Sequence, residues 1–247
     1  MAQLLLLLDN AAYFFPTSPE TNGALVFGEP SFFPVPLTVL DVVAHEMSHG
    51  VNFHSARLGN TTPPNTPGAI DEGLADIFAT AVEFYAQEPS NGPLRADYLI
   101  GEDTGIVIRS LRDPGEIPHF FTASGTYPDH FDNLFRGPED FGGIHINATI
   151  LGHLYYLAIE GGTNRTSGLT VQGVGAVNRL EIERIFFNAW VNLLPRFPSF
   201  QVAADCLFVS AIELYGAGSA PVTAIAQALD AVGIPNVITC HDVGGCR

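Results

Sequence analysis

Apolar residues recur every three or four positions over six stretches of the chain, the period of a helix with one buried face. The first predicted helix runs from 41 to about 58 and the second from 70 to 87, where Ile70, Leu74, Ile77 and Phe78 fall on one side. The third covers 144–160, with Ile146, Ile150, His153, Leu154 and Leu157 near one face. Three more follow over 179–194, 199–215 and 221–232, and Gly216 is placed to cap the fifth. Shorter apolar runs at Leu4 to Leu8 and Ala24 to Phe27, separated by Pro, Gly and Asn, predict strands. Between the first two helices, residues 59–67 carry three prolines and read as a connection. Residues 88–143 are rich in Pro, Gly and Asp, as expected of loops that carry binding groups. The pattern predicts an α+β protein: a small strand-rich beginning followed by a mainly helical remainder.

A chain of 247 residues with 47% apolar content can bury a sizeable core, here expected as two lobes around a cleft. The formal net charge is −16, and all ten basic residues are arginine. That balance argues against a nucleic-acid partner and favours cation binding. The absence of lysine excludes Schiff-base chemistry through a lysine amine. No apolar run reaches the ~18 residues of a membrane span. The run Leu4 to Leu8 is too short for a signal-peptide core and lacks a basic flank, so an export signal would lie upstream or be missing. Cys206 falls within a predicted helix and is expected as a small buried residue. Cys240 and Cys246 bracket a short glycine-containing tail, and either close a small disulfide loop or remain free thiols.

The chemistry begins in the first helix. His45-Glu46-Met47-Ser48-His49 places two imidazoles four residues apart, one above the other on a helix face, with a carboxylate beside them. Two zinc ligands and a candidate general base, Glu46, therefore share one turn. A catalytic zinc takes three protein ligands and leaves one position open. Glu72, in the first turns of the second helix, can complete the set. Asp76, four residues on, can accept the N–H of a ligand histidine and so set its tautomer. The same spacing suggests a second metal. Asp41 precedes His45 by four residues, and Glu83 follows Glu72 by eleven, about three turns. Both points of contact are met only if the two helices run antiparallel. Oxygen ligands at the second point favour calcium.

With these motifs in place, the chain resembles the thermolysin family of zinc metallopeptidases. The resemblance runs from about Asp9 to about Pro235. It is carried by Asp9 to Tyr13, Asp41 to His49, Gly68 to Tyr85, Ile100 to Asp103, Arg109-Ser110, Gly142 to Asn147 and, weakly, Ala228 to Gly233. It implies a zincin-like fold with a reduced N-terminal β lobe and a helical C-terminal lobe. Residues 1–58 would hold the β remnant and the active-site helix, 59–236 the helical lobe, and 237–247 a cysteine-containing tail. The implied activity is endopeptidase cleavage of peptide or protein substrates, with zinc on His45, His49 and Glu72 and water activated by Glu46. His145 would stabilise the oxyanion, oriented by Asp140. Arg109 would contact a substrate carbonyl, and Asn10 and Ala11 would pair with the substrate backbone. Val42, Ile100 and Ile108 would line an apolar pocket for the side chain after the scissile bond. Calcium would be held by Asp41, Glu83, Asp97 and Glu102. The resemblance also implies a secreted monomer.

Three departures shape the expectation. Leu99 stands where some members carry a carboxylate, which suggests one calcium ion. The family's oxyanion tyrosine has no counterpart between Asn52 and Asn60; Asn60 and His54 are the nearby donors. Most of the β region that precedes Asn10 in the family has no match. The expected function is accordingly a zinc endopeptidase. Its alternatives are a catalytically weak or inactive relative that keeps zinc and calcium for structure, and a calcium-dependent binding module.

Overall fold

The computed structural model describes residues 9–16 and 23–235. The expected strand at Leu4 to Leu8 and the Cys240 and Cys246 pair lie outside these residues. Two short antiparallel strands open the fold, β1 (Ala11–Phe14) and β2 (Ala24–Phe27), with Ala12 opposite Val26. Six α-helices follow: α1 (Leu40–His54), α2 (Thr66–Ala86), α3 (Glu139–Glu160), α4 (Arg179–Asn188), α5 (Phe200–Tyr215) and α6 (Ala220–Ala231). Two further pairs of two-residue strands decorate the loops, β3 (Leu99–Ile100) with β4 (Arg109–Ser110) and β5 (Gly162–Thr163) with β6 (Thr170–Val171). This is an α+β fold with a reduced sheet and a helical lobe.

The helices differ from the expected spans at their ends, where side-chain caps decide. The second helix starts at Thr66, four residues early, because the Asn65 side chain accepts the Gly68 N–H and Pro67 sits in the first turn, where its missing N–H costs nothing. Ser199 caps α5 through the Val202 N–H, and Gly216 with φ 80° ends it. The fourth helix passes into a π-helical turn over Ala189–Leu193.

The core forms where α2 and α3 cross and the last three helices close around them. Ile70, Leu74 and Ile77 of α2 meet Ile150, Leu151 and Leu154 of α3, and Phe186, Trp190 and Phe200 pack outside them, all buried. Close approach of α2 to α3 requires Gly73, since a Cβ there would sit 2.9 Å from the Ala148 carbonyl oxygen. Burial of this apolar surface is the main favourable term holding the lobe together. Cys206 is only half-buried, with its thiol 3.6 Å from the Leu193 carbonyl. Among the described residues no helix is long and apolar enough to cross a membrane.

Candidate metal centre and active site

The first two helices run antiparallel, as their side-chain contacts show. Proceeding along α1, His45 meets Asp76, and His49 meets Asp71 and Glu72, while Asp41 at the start of α1 lies by Glu83 late in α2. His45, His49 and Glu72 bring three potential ligand atoms within 4.8 Å of one another. The two Nε2 atoms are 3.2 Å apart, and Glu72 Oε2 is 3.1 Å from His45 Nε2. That oxygen is buried and accepts no well-formed hydrogen bond. All three residues can hold one metal ion.

Each histidine is steadied from behind. His45 Nδ1 lies 2.8 Å from Asp76 Oδ1, and His49 Nδ1 3.3 Å from Asp71 Oδ2. Asp71 has no signal in the spacing that marks Asp76, because it stands one residue before Glu72 and not four away. Arg109 lies behind Asp76, donating from Nε to Oδ2 at 2.6 Å and from Nη2 to Oδ1 at 2.7 Å. Arg109 as a whole is only 6% exposed, and its guanidinium is committed to Asp76 by these two hydrogen bonds. Burial of Asp76 works against its charge, yet Arg109 and His45 hold its pKa at about 2. Burial likewise opposes charge on His45, but Asp76 and Glu72 push it up to about 10. Glu72, despite burial, is held well below the usual carboxylate range by His145, His49 and His45.

Glu46 occupies the same helix turn, 7% exposed, and among the described residues nothing hydrogen-bonds to its carboxylate. Val42 is buried on the same helix, and Ile100 is fully covered beside β4, with Ile108 half-buried nearby. Asn10, just before the first strand, is exposed and Ala11, which begins it, is half-buried; the Asn10 carbonyl accepts the Gly28 N–H.

His145 reaches the centre from α3 through an unusual turn. Asp140, Phe141, Gly142 and Gly143 all have φ between 53° and 89°, so the chain makes a left-handed turn before the regular helix begins at Ile144. Glycine adopts this conformation freely, whereas Asp140 and Phe141 are costly there. A Cβ at Gly143 would lie 2.7 Å from Asn147 Nδ2, and one at Gly142 3.1 Å from the Asn65 backbone nitrogen. The turn is tied to the start of α2, because the Asn65 N–H donates to the Gly142 carbonyl and Asn65 Nδ2 to the Phe141 carbonyl. In return the turn aims Asp140 inwards. Its Oδ1 is 2.6 Å from His145 Nδ1 and its Oδ2 accepts the Ile146 N–H, leaving His145 Nε2 3.5 Å from Glu72 Oε2.

The two stand-ins for a tyrosine donor are placed elsewhere. Asn60 Oδ1 accepts Asn65 Nδ2 at 3.0 Å, so Asn60 serves the cap of α2. His54 lies nine residues beyond His45, half a turn round the helix, in an apolar groove with Tyr13, Leu25, Met47 and Val51.

A second cluster lies at the other end of the helix pair. Glu83, Glu102 and Asp103 have carboxylate oxygens within 4.8 Å of one another. Both oxygens of Glu83 and of Glu102 are buried without hydrogen bonds. Burial and the neighbouring carboxylates push Glu83 up to about 9 and Glu102 up to about 8. Asp41 and Asp97 border this cluster but spend oxygens on the backbone: Asp41 accepts the Val42 and Gly101 N–H groups, and Asp97 the Leu99 N–H. Asp103 is a member that the spacing does not reveal. A 3₁₀ turn over Glu102–Thr104, between left-handed Gly101 and Gly105, brings it round beside Glu102.

Comparison with known proteins agrees with this architecture. The family described as "Thermolysin metallopeptidase, alpha-helical domain" matches residues 64–234. The chain is 36% identical over 202 residues to the thermostable neutral protease NprT of Geobacillus stearothermophilus, which covers 79% of this chain and 33% of that protein. The identity and coverage are the same for the thermolysin of Alicyclobacillus acidocaldarius. Neutral protease B of Bacillus subtilis is 33% identical over 201 residues, covering 79% of this chain and 32% of its own. Among solved structures, the precursor of protealysin, a metalloproteinase from Serratia proteamaculans, superposes with a TM-score of 0.63 at 25% identity, over 85% of this chain and 63% of that one. The chain spans about a third of the length of the curated relatives it matches. It belongs to the thermolysin family of metallopeptidases.

Proposed function

We propose that the chain is a zinc-dependent endopeptidase that cleaves peptide bonds in proteins, with zinc on His45, His49 and Glu72. The observation that carries this reading is the convergence of the two Nε2 atoms, 3.2 Å apart, on the Glu72 carboxylate, whose Oε2, 3.1 Å from His45 Nε2, is buried without a well-formed hydrogen bond. Two imidazoles and one carboxylate form a set that suits zinc and leaves a fourth position open. Bound zinc would polarise the scissile carbonyl and lower the pKa of water to roughly 7.

The chain's own residues supply the rest. Glu46 takes the proton from the attacking water and passes it to the leaving amine. His145, with Nδ1 held by Asp140, offers Nε2 to the carbonyl oxygen as charge develops there. Asp76 and Asp71 hold the ligand imidazoles in orientation. Arg109 fixes Asp76 and meets a substrate carbonyl only at its exposed fringe. Asn10 and Ala11 pair with the substrate backbone along the outer edge of β1, and Val42, Ile100 and Ile108 favour an apolar side chain after the scissile bond.

The second cluster is proposed to hold one calcium ion on Glu83 and Glu102, with Asp41 and Asp97 as further ligands. Its support is chemical: buried carboxylates with unpaired oxygens need a hard cation or protons. Asp103 extends this set. We further propose export from the cell and action as a monomer on peptide or protein substrates. Zinc content and casein hydrolysis of the purified chain test the whole reading. One protein without zinc that cleaves nothing would end it.

A second reading is a catalytically weak relative that keeps its metals for structure. It is favoured by the placement of Asn60 on the α2 cap and of His54 on the far side of α1. Normal zinc content with no measurable hydrolysis would select it.

A further inference from the structure

We propose that Phe121 is a positioning residue for His145, resting on the endopeptidase reading above. The loop from Ile117 to Tyr127 is a strap, closed at its base by the bridge between Pro118 and Thr126 and by the Tyr127 N–H on the Ile117 carbonyl. Its base is anchored by His119 and Tyr127, both buried, with rings 5.6 Å apart. The return of the strap requires Gly125, where φ is 144° and a Cβ would lie 2.7 Å from His119 Nε2. At its tip, Phe121 lies flat on the His145 imidazole, with centroids 5.4 Å apart and planes 6° from parallel. The adjacent Phe120 meets Phe32 edge-on at 5.9 Å, and the Phe32 and Phe33 N–H groups are held by Asp9. The tip is therefore fixed on one side by the N-terminal segment and on the other by His145.

This contact does what the carboxylate cannot. Asp140 grips one atom, Nδ1, and a single in-plane hydrogen bond leaves the imidazole free to tilt about that bond. A parallel ring on one face blocks the tilt and keeps Nε2 directed towards Glu72. The separation and angle are those of a favourable offset stack. Phe121 remains 36% exposed, so its own burial does not account for its position. His145 is the more exposed histidine of the site, with 28% of its side chain open to solvent against 7% for His45, so less packing holds its ring. An orienting contact matters most there.

The test uses the full chain with Phe121→Ala, Phe121→Tyr, His145→Ala and the double variant Phe121→Ala/His145→Ala. On one peptide, Phe121→Ala should lower kcat about 3- to 10-fold with little change in KM, and Phe121→Tyr should restore it. In the His145→Ala background, loss of Phe121 should change nothing further. At one fixed pH, the His145 Hε1 NMR signal, assigned by its loss in His145→Ala, should be ring-current shifted in the wild type and in Phe121→Tyr. In Phe121→Ala that shift should disappear and the ring should gain nanosecond mobility. An equal loss of kcat with and without His145, or a change in KM alone, would make Phe121 a wall for substrate and overturn the proposal. An unchanged Hε1 signal in Phe121→Ala would overturn it as well. If the wild type cleaves no peptide, the endopeptidase reading fails, while the NMR comparison still decides whether Phe121 orients the imidazole.

Discussion

Arg109 grips Asp76 with two hydrogen bonds, and the same Asp76 carboxylate lies 2.8 Å from His45 Nδ1. The three side chains form one buried chain of charge that ends at the candidate metal centre. Both members of the ion pair are at least nine-tenths covered, so solvent screens little of their attraction. Asp76→Ala leaves the guanidinium buried and uncompensated, which should cost about 3–5 kcal/mol in denaturant unfolding. The same change frees His45 from its orienting partner, and zinc affinity should fall about 10- to 100-fold. Competition with a chromogenic chelator measures the second effect. Stability and affinity that both stay at wild-type values would show that the chain of charge is not coupled as its geometry indicates.

Glu72 should be the residue on which metal content depends most directly. Zinc is expected at one ion per chain, and Glu72→Ala removes one of three ligands while leaving His45 and His49 in place. Metal analysis of the two purified proteins after dialysis should show zinc retained in the wild type and lost from the variant. Retention of a full equivalent by Glu72→Ala would remove Glu72 from the ligand set.

What could be read from the sequence alone depended on whether neighbours are set by one helix or by several elements. The approach of His45 to His49 is local, produced by a four-residue spacing on a single helix. The antiparallel run of α1 against α2 needs only two such local faces, since Asp41 and Glu83 can meet in no other sense. Asp103 is different, because a short 3₁₀ turn between two left-handed glycines decides where it points. The left-handed turn before His145 is half visible in Gly142 and Gly143, but nothing in the types of Asp140 and Phe141 announces a positive φ. The stack of Phe121 on His145 joins a loop to a helix and has no periodicity at all. The strand at β2 and the six helices follow their patterns; the helix ends follow caps such as Asn65, whose partners are local but whose register is not.

Glu46→Gln separates binding from chemistry. The amide preserves size but cannot accept the water proton, so zinc content should be unchanged while kcat falls at least ~10²-fold. No hydrogen bond within the described residues is lost by the change, so the fold should be undisturbed. Full activity with zinc bound would show that another group serves as the base.

Calcium should stabilise the folded chain through the second cluster. A ligand that binds only the native state raises stability by mass action, so the melting temperature should climb with free calcium until the site saturates. Binding of a single ion is expected, because Leu99 offers no carboxylate. Glu83→Gln replaces a ligand by an amide of the same size as the neutral carboxyl that burial and its neighbours favour there without calcium. The variant should therefore melt no lower than the wild type in chelator, yet gain little from calcium. Two tight ions by titration, or no shift in melting for the wild type, would count against this site.

His145 should carry most of the stabilisation of the oxyanion, because the other candidate donors are engaged or misplaced. Removing one such donor typically costs about 10²- to 10³-fold in turnover. His145→Ala should therefore lower kcat by that order with a much smaller effect on KM, the pattern of a contact made mainly in the transition state. His54→Ala should leave both constants at wild-type values, since His54 faces an apolar groove on the opposite side of α1. Asn60→Tyr is the informative case. It would bring a phenol to the loop after α1, but it also removes the acceptor of the Asn65 amide, which helps to hold the cap of α2 against the turn that aims Asp140. A gain in kcat accompanied by a lower melting temperature is the expected result. Kinetics and thermal unfolding of the three variants, on one peptide and with zinc content checked, decide the matter. Wild-type turnover in His145→Ala would remove His145 from the reaction, and a loss of turnover in His54→Ala would mean that the groove on the far side of α1 communicates with the centre.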